Sequence, residues 1–301
     1  SRIDSSRSQW EIGKLIFIII YLALAAFSNW AVLAYTHDFS GREPLPDFVF
    51  SLIPEIAIAA KIGDAMVIVC ISCVVVLLIF HQNRVIIIRR GLFIVATMNV
   101  MRSITLFATQ LPPGYSKNNE QCRGQSNFSW NIFLSRCVEQ IVRVGLQDQE
   151  KMLCGDMLFS GHTLMMTVCM LTVNHYIPTK WKIFRIFPYI FAYIGMTCMI
   201  ISRTHYTVDV IIANWLSTLI FASYHAQAEL ELCVERRQSI MYEFYYFRVV
   251  SWLEENVVPG KLENVFVNPI DHLRASFCEQ REVSKGHNNQ ISVVRFTYFV
   301  L

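Results

Sequence analysis

The sequence carries little charge for its size: Asp, Glu, Lys and Arg make up 16% of 301 residues, against 54% for the aliphatic, aromatic, Cys and Met side chains. An ordinary soluble domain has roughly 25% charged residues. With a mean hydropathy of +0.39, a single soluble core is excluded and a membrane protein is expected. There is no long basic run with interleaved aromatics, and the net charge is only +3, which excludes nucleic acid as a partner. His and Cys nowhere take the spacing of a metal site, so no metal and no other cofactor is expected. The first apolar run follows Arg2, Arg7 and Lys14. It lacks an A-x-A-like cleavage site and, at about twenty residues, reads as a retained span and not a cleaved signal. A start at Ser1 marks a processed chain or a piece of a longer one. No internal repeat is evident.

What the sequence does have is apolar stretches long enough to cross ~30 Å of hydrocarbon. They lie at 15–35, 63–81, 91–111, 158–177, 183–202 and 207–226, and predict an all-α, polytopic bundle of six transmembrane helices. The expected organisation is a cytosolic segment 1–14, a membrane domain 15–226 and a cytosolic, weakly structured tail 227–301. Asp64 near the start of the second stretch and Arg102 within the third are costly at such depth, and are expected to face the bundle interior.

Basic residues of the short loops set direction. Arg84, Arg89 and Arg90 in an 82–90 loop, Lys180, Lys182 and Arg185 in a 178–185 loop, and Arg236 and Arg237 in the tail place those segments with the N-terminus in the cytosol. The 36–62 and 112–156 connections then face the lumen or exterior. Cys122, Cys137 and Cys154 share that side, where a disulfide can form; the pairing is left open. His37, His81 and His175 sit at span ends, where such side chains reach for water, and His225 is too far along the sixth span to join His205.

Two motifs meet at the non-cytosolic face. In HYTVDV, His205 and Asp209 are one helical turn apart and share a face; a carboxylate beside an imidazole suits a nucleophilic or general-base histidine. In CGDMLFSGHT, Ser160 and Gly161 precede His162. There the glycine permits close approach of an anion, and the Ser160 and Thr163 hydroxyls offer donors suited to phosphoryl oxygens. Paired, the motifs outline a phosphoryl-transfer site with two histidines.

SGHT with HYTVDV resembles the type-2 lipid phosphatase superfamily, and CGDMLFSGHT with HYTVDV resembles the sphingomyelin synthases within it. EPLPD at 43–47 and RRGLFIVATMNVMRSITLFATQLP from Arg89 to Pro112 are similar to two further segments of that family, in matching order. The resemblance implies that His205 attacks the phosphorus of a phospholipid, Asp209 orients it, and His162 protonates the departing diacylglycerol and then deprotonates the ceramide hydroxyl. Arg102, Asp156, Ser160 and Asp64 are the implied substrate-binding residues. The implied partners are phosphatidylcholine or phosphatidylethanolamine, ceramide and diacylglycerol, in a Golgi, plasma or endoplasmic reticulum membrane; a homo-oligomer is left open.

Departures count as well. The K-x6-RP phosphate motif of the phosphatases is absent, which argues against plain hydrolysis. Thr204 stands before His205 where the animal synthases have Asp, or Glu in the ethanolamine-using relative. The SR-x-HYT form is similar to that of protist sphingolipid synthases, so the head group stays open. A phospholipase C or phosphatase, and a channel, transporter or scaffold, are the competing readings.

Overall fold

The structure is a computed structural model that describes residues 2–116, 118–142, 152–230, 239–257, 260 and 262–267. Arg236, Arg237 and the tail beyond 267 lie outside the described residues. The helices run in the order α1 Arg2–Thr36, α2 Phe48–Leu52, α3 Ile58–Phe80, α4 Arg84–Ala108, α5 Asn118–Gln121, α6 Trp130–Val142, α7 Gly161–Tyr176, α8 Ile186–Ile201, α9 Thr207–Ala228 and α10 Tyr245–Leu253. Short 3-10 turns precede α8 (Thr179–Arg185) and α10 (Ile240–Glu243). Among the described residues the only β pairing is two isolated bridges.

Among the described residues, five segments are long and apolar enough to cross a membrane: Ile12–Thr36, Ile58–Phe80, Arg84–Ala108, Thr179–Ile201 and Thr207–Ala228. Their outer faces are greasy: Ile68, Val76, Ile104 and Trp215 are all more than half exposed, as side chains that meet lipid should be. The remaining expected stretch differs. α7 has only 16 residues, about 24 Å at the helical rise, and includes Thr167, Thr172, Asn174 and His175. It packs against α3, α4, α8 and α9, and ten of its residues are buried. Neighbouring helices shield it from lipid, so its sequence tolerates polar groups that an outer helix would not.

α1 and α4 are laced together inside the apolar region. Tyr21 Oη donates to Thr97 Oγ1 at 3.4 Å, Ser28 Oγ and Ser103 Oγ are 3.2 Å apart, and Asn29 Nδ2 donates to Asn99 Oδ1 at 3.0 Å. Such bonds hold helices where the hydrophobic effect cannot. Beyond the spans, Arg136 on α6 grips Asp38 at 2.7 and 3.2 Å, and a disulfide joins Cys122 to Cys154 while Cys137 stays free and buried.

Three expectations are corrected. The 82–90 loop is largely helix, because α4 begins at Arg84; Arg89 and Arg90 are buried inside the protein, and Arg84 is half-buried. His37 and His81 do not reach for water: both are buried, with His37 Nδ1 against the Cys154 backbone and His81 Nε2 3.3 Å from Asn264 Oδ1. The tail includes the ordered helix α10, whose Phe247, Val250 and Leu253 recur every third residue and are buried, an amphipathic stripe seated on α9.

Glu254, 0% exposed, closes this arrangement. Arg90 donates Nε and Nη2 to it at 3.1 and 2.7 Å, and Tyr224 Oη donates at 2.9 Å. Burial pushes the Glu254 carboxyl up, but the Arg90 hydrogen bonds and charge outweigh it and hold the group below its usual 4.5. This contribution is present above that value and is lost as pH falls through the depressed one. Glu254→Ala leaves Arg90 buried without its carboxylate and is expected to cost about 3–5 kcal/mol, read as a lower melting temperature in detergent. An unchanged melting temperature would show that α10 is not held by this pair.

Candidate active site

The loop 154–160 approaches the start of α7 through two backbone conformations that L side chains rarely adopt: Gly155 at φ +117° and Leu158 at φ +89°. Leucine at positive φ is strained. The conformation aims the Leu158 N–H at Asp209 Oδ1, 2.9 Å away. Asp209 Oδ2 accepts the Tyr206 N–H at 3.0 Å, so this fully buried carboxylate ties the SGHT loop to the start of α9.

Ser160 is the N-cap of α7: its Oγ accepts the Thr163 N–H at 3.2 Å, and the side chain is buried. This cap sets His162 at the second helical position, where Nε2 lies 3.2 Å from Asp64 Oδ1 on α3. His162 and Asp64 are 40% and 50% exposed, so they form the open side of the site. His205 lies behind, 3% exposed, with Nδ1 3.7 Å from Asp209 Oδ2. That is a charge contact and not a hydrogen bond. The two imidazole rings are 5.9 Å apart, inclined by 58°: too far to bond each other, near enough for one phosphoryl group to be reached by both.

Arg102 braces the same loop. Nε donates to Phe159 O at 2.8 Å, Nη2 pairs with Asp156, and Nη1 reaches Asn29 Oδ1 at 3.4 Å. The space that Gly161 leaves is filled by this guanidinium: a methyl group there would lie 3.0 Å from Nη1 and 3.1 Å from Cζ. Alanine at a free helical position would stabilise by up to ~1 kcal/mol. Here Gly161→Ala makes the Arg102 guanidinium give way by a few tenths of an ångström and strains its bonds to Phe159 and Asp156, so turnover is expected to fall about tenfold, less than for a misplacement of ~1 Å, with no rise in melting temperature. Full turnover with a raised melting temperature would mean that the contact with Arg102 is incidental.

The EPLPD and LP segments are framework around HYT. Asp47 accepts both the Thr207 N–H at 2.9 Å and the Thr207 hydroxyl at 2.8 Å. Tyr206 Oη accepts the Leu45 N–H at 2.9 Å and donates to Pro112 O at 3.1 Å. One tyrosine thereby fastens three sequence-distant segments beneath His205.

The geometry thus gathers His162, His205, Asp209, Asp64, Asp156 and Arg102 at one end of the bundle, with Ser160 as the cap beneath them. The PAP2 superfamily C-terminal family matches residues 153–226, which span both histidine motifs. The Caenorhabditis elegans protein "Putative phosphatidylcholine:ceramide cholinephosphotransferase 3" is 49% identical over 260 residues, 86% of this chain and 76% of its own length. The chain belongs to the phosphatidylcholine:ceramide cholinephosphotransferase family. A second worm relative, "Phosphatidylcholine:ceramide cholinephosphotransferase 2", is 32% identical over 86% of this chain and 78% of its own length. The human "Phosphatidylcholine:ceramide cholinephosphotransferase 1" is 27% identical over 90% and 68%.

Against that family pattern, the chain has a distinct wall beside His205. Thr204 Oγ1 lies 2.7 Å from Ser202 Oγ, a neutral pair where the resemblance leads one to expect an acid. Arg203, at φ +58°, turns away to Ser116 Oγ at 2.8 Å, Phe50 O at 3.1 Å and the Phe50 ring. Tyr115, which the sequence did not single out, is buried beside Thr204. Burial pushes its hydroxyl up to about 12, with the Glu55, Asp64 and Asp156 carboxylates adding to the shift. Only its place after the LPPG turn could have drawn notice to it.

Proposed function

We propose that the protein transfers phosphocholine from phosphatidylcholine to the primary hydroxyl of ceramide, forming sphingomyelin and diacylglycerol. The observation that carries this reading is the pair of histidines 5.9 Å apart, each with its own carboxylate. His205, with Nδ1 turned to Asp209, attacks phosphorus through Nε2. The N–P bond forms as the bond to the diacylglycerol oxygen breaks, and protonated His162, stabilised by Asp64, supplies the proton to that oxygen. In the second half, His162 takes the ceramide hydroxyl proton, the ceramide oxygen attacks phosphorus, and the N–P bond breaks to restore His205. The same group acts as acid and then base.

Arg102 has a positioning part in this scheme: it fixes the loop that carries the Leu158 N–H and can turn to the phosphate when substrate enters. Asp64 and Asp156, partly exposed at the mouth, attract a cationic head group. α7 is taken as a sixth, sheltered span. The site then faces the lumen, Golgi being the favoured compartment; the Cys122–Cys154 disulfide and the positively charged opposite end of the bundle support this direction.

The test is to give purified protein a fluorescent ceramide with phosphatidylcholine or phosphatidylethanolamine in separate reactions. Labelled sphingomyelin from the choline donor is expected. Ceramide phosphoethanolamine alone would move the head-group assignment, and diacylglycerol released without any labelled sphingolipid would mean water is the acceptor.

A further inference from the structure

Away from the histidines, α3, α7 and α8 enclose an apolar cleft of about 1060 Å³. It runs along α3 from Val69 to Phe80, beginning more than one helical turn beyond Asp64, and none of the catalytic side chains lines it. Its aromatic wall is Phe184, Phe187 and Phe191, with Trp181 and Phe266 at its outer end. The segment 262–267 crosses there, Val267 N–H donating to Phe80 O at 2.8 Å. α3 and Thr179–Ile201 are both long and apolar enough to span the membrane, so the cleft opens onto lipid. Its volume matches a substantial ligand pocket of ~300–1,000 Å³.

The mouth is charged. Trp181 and Phe184 sit on either side of a kink at Trp181, and both line the cleft. Lys180 and Lys182 flank Trp181, are exposed, and form no ion pair among the described residues. Arg185 Nη2 is bound to Ile177 O at 3.0 Å, adding a third positive charge near the rim. On the crossing segment only Glu263 opposes them. A tryptophan beside lysines at the end of an apolar wall is the arrangement found where hydrocarbon gives way to head groups.

We infer that this cleft is a binding site for an anionic glycerophospholipid, with its acyl chains between α3 and α8 and its phosphate against Lys180 and Lys182. The inference rests on the membrane reading of α3 and α8, and is independent of the transferase chemistry. A neutral lipid would fill the apolar part but leave both lysines without a counter-charge. The same class of contact recruits anionic lipids to basic segments beside spans, at a gain of roughly fivefold per Lys.

The full chain in phosphatidylcholine nanodiscs, which present the same lipid on both faces, is exposed to trace phosphatidic acid or trace phosphatidylcholine, each with a diazirine on an acyl chain. After illumination, cross-linked peptides are mapped. The acid probe is expected to label residues 69–80 and 181–191 at least about tenfold more than the choline probe. Lys180→Gln with Lys182→Gln should bring that label down to the level of the choline probe, a loss of at least about tenfold, and leave the choline label unchanged. Val76→Trp, which fills the cleft, should remove both. Equal labelling by the two probes, or acid labelling that survives loss of the lysines, would reduce the cleft to ordinary contact with bulk lipid. Labelling that arises only after deletion of residues 268–301 would give the cleft to the tail. No turnover and no sidedness enters this readout, so its failure is distinct from failure of the catalytic reading.

Discussion

His205→Ala is expected to lower sphingomyelin formation about 10⁴-fold or more, since the atom that receives the phosphoryl group is gone and His162 is committed to the proton transfers. The His205 side chain is buried and its Nδ1 makes no hydrogen bond, so its removal leaves no orphaned donor pair. Folding should be largely preserved, and the variant should insert and run as the parent does. The check is turnover of fluorescent ceramide per unit of inserted protein. Turnover within tenfold of the parent would remove His205 from the mechanism.

His162→Ala has the next largest effect, and its pattern is more telling than its size. With phosphatidylcholine the loss should be about 10²–10⁴-fold, the range for a missing general acid. With p-nitrophenyl phosphocholine, whose leaving group needs no proton, the first burst of p-nitrophenol should stay within about tenfold of the parent. Steady turnover to ceramide should still fail, because the acceptor hydroxyl has lost its base. Asp64→Asn, which keeps the shape 3.2 Å from His162 Nε2 but removes the charge, should behave as a milder version of the same variant. An equal loss of burst with both donors would mean that His162 binds the phosphoryl group and does not handle the leaving oxygen's proton.

Much of the site was legible because short motifs specify local structure. Ser160 before Gly161 and His162 reads as a helix start, and it is one. His205 and Asp209 do come together, but not on a shared helical face as their spacing suggested: His205 precedes the N-cap Tyr206 and lies outside α9, so the bend before the helix sets their contact. What could not be read was the partner each group chooses across the fold. Asp64 was visible as a costly carboxylate in an apolar run, yet its pairing with His162 depends on how α3 and α7 pack. Arg102 was implied as a substrate-binding residue; its contacts with Phe159 O and Asp156, and the room Gly161 leaves it, depend on the folded loop and could not be read. Gly161 therefore makes space for a guanidinium, where the sequence pointed to an anion.

The spans were legible where lipid enforces a continuous apolar surface, and less so at their ends. α4 reaches back to Arg84 because Arg90 finds Glu254 and Tyr176 inside the bundle; composition alone places those arginines in a loop. α10 escaped notice because the tail reads as polar as a whole, although residues 240–253 hold only Glu243 and Arg248 as charges among mostly apolar and aromatic side chains. Tyr206 and Asp47 show the converse: residues inside recognised motifs whose work is to fasten segments together.

The central claim is that a head group passes through His205. The most direct test is to incubate the protein with phosphatidylcholine labelled in the phosphate, without ceramide, stop the reaction in alkali where a phosphorus–imidazole bond survives, and map the label. The account predicts stoichiometric label on the peptide carrying His205, discharged into sphingomyelin when ceramide is added before the stop. Label that stays on the protein after ceramide, label on His162, or sphingomyelin formed at full rate with no labelled protein at any time would contradict it.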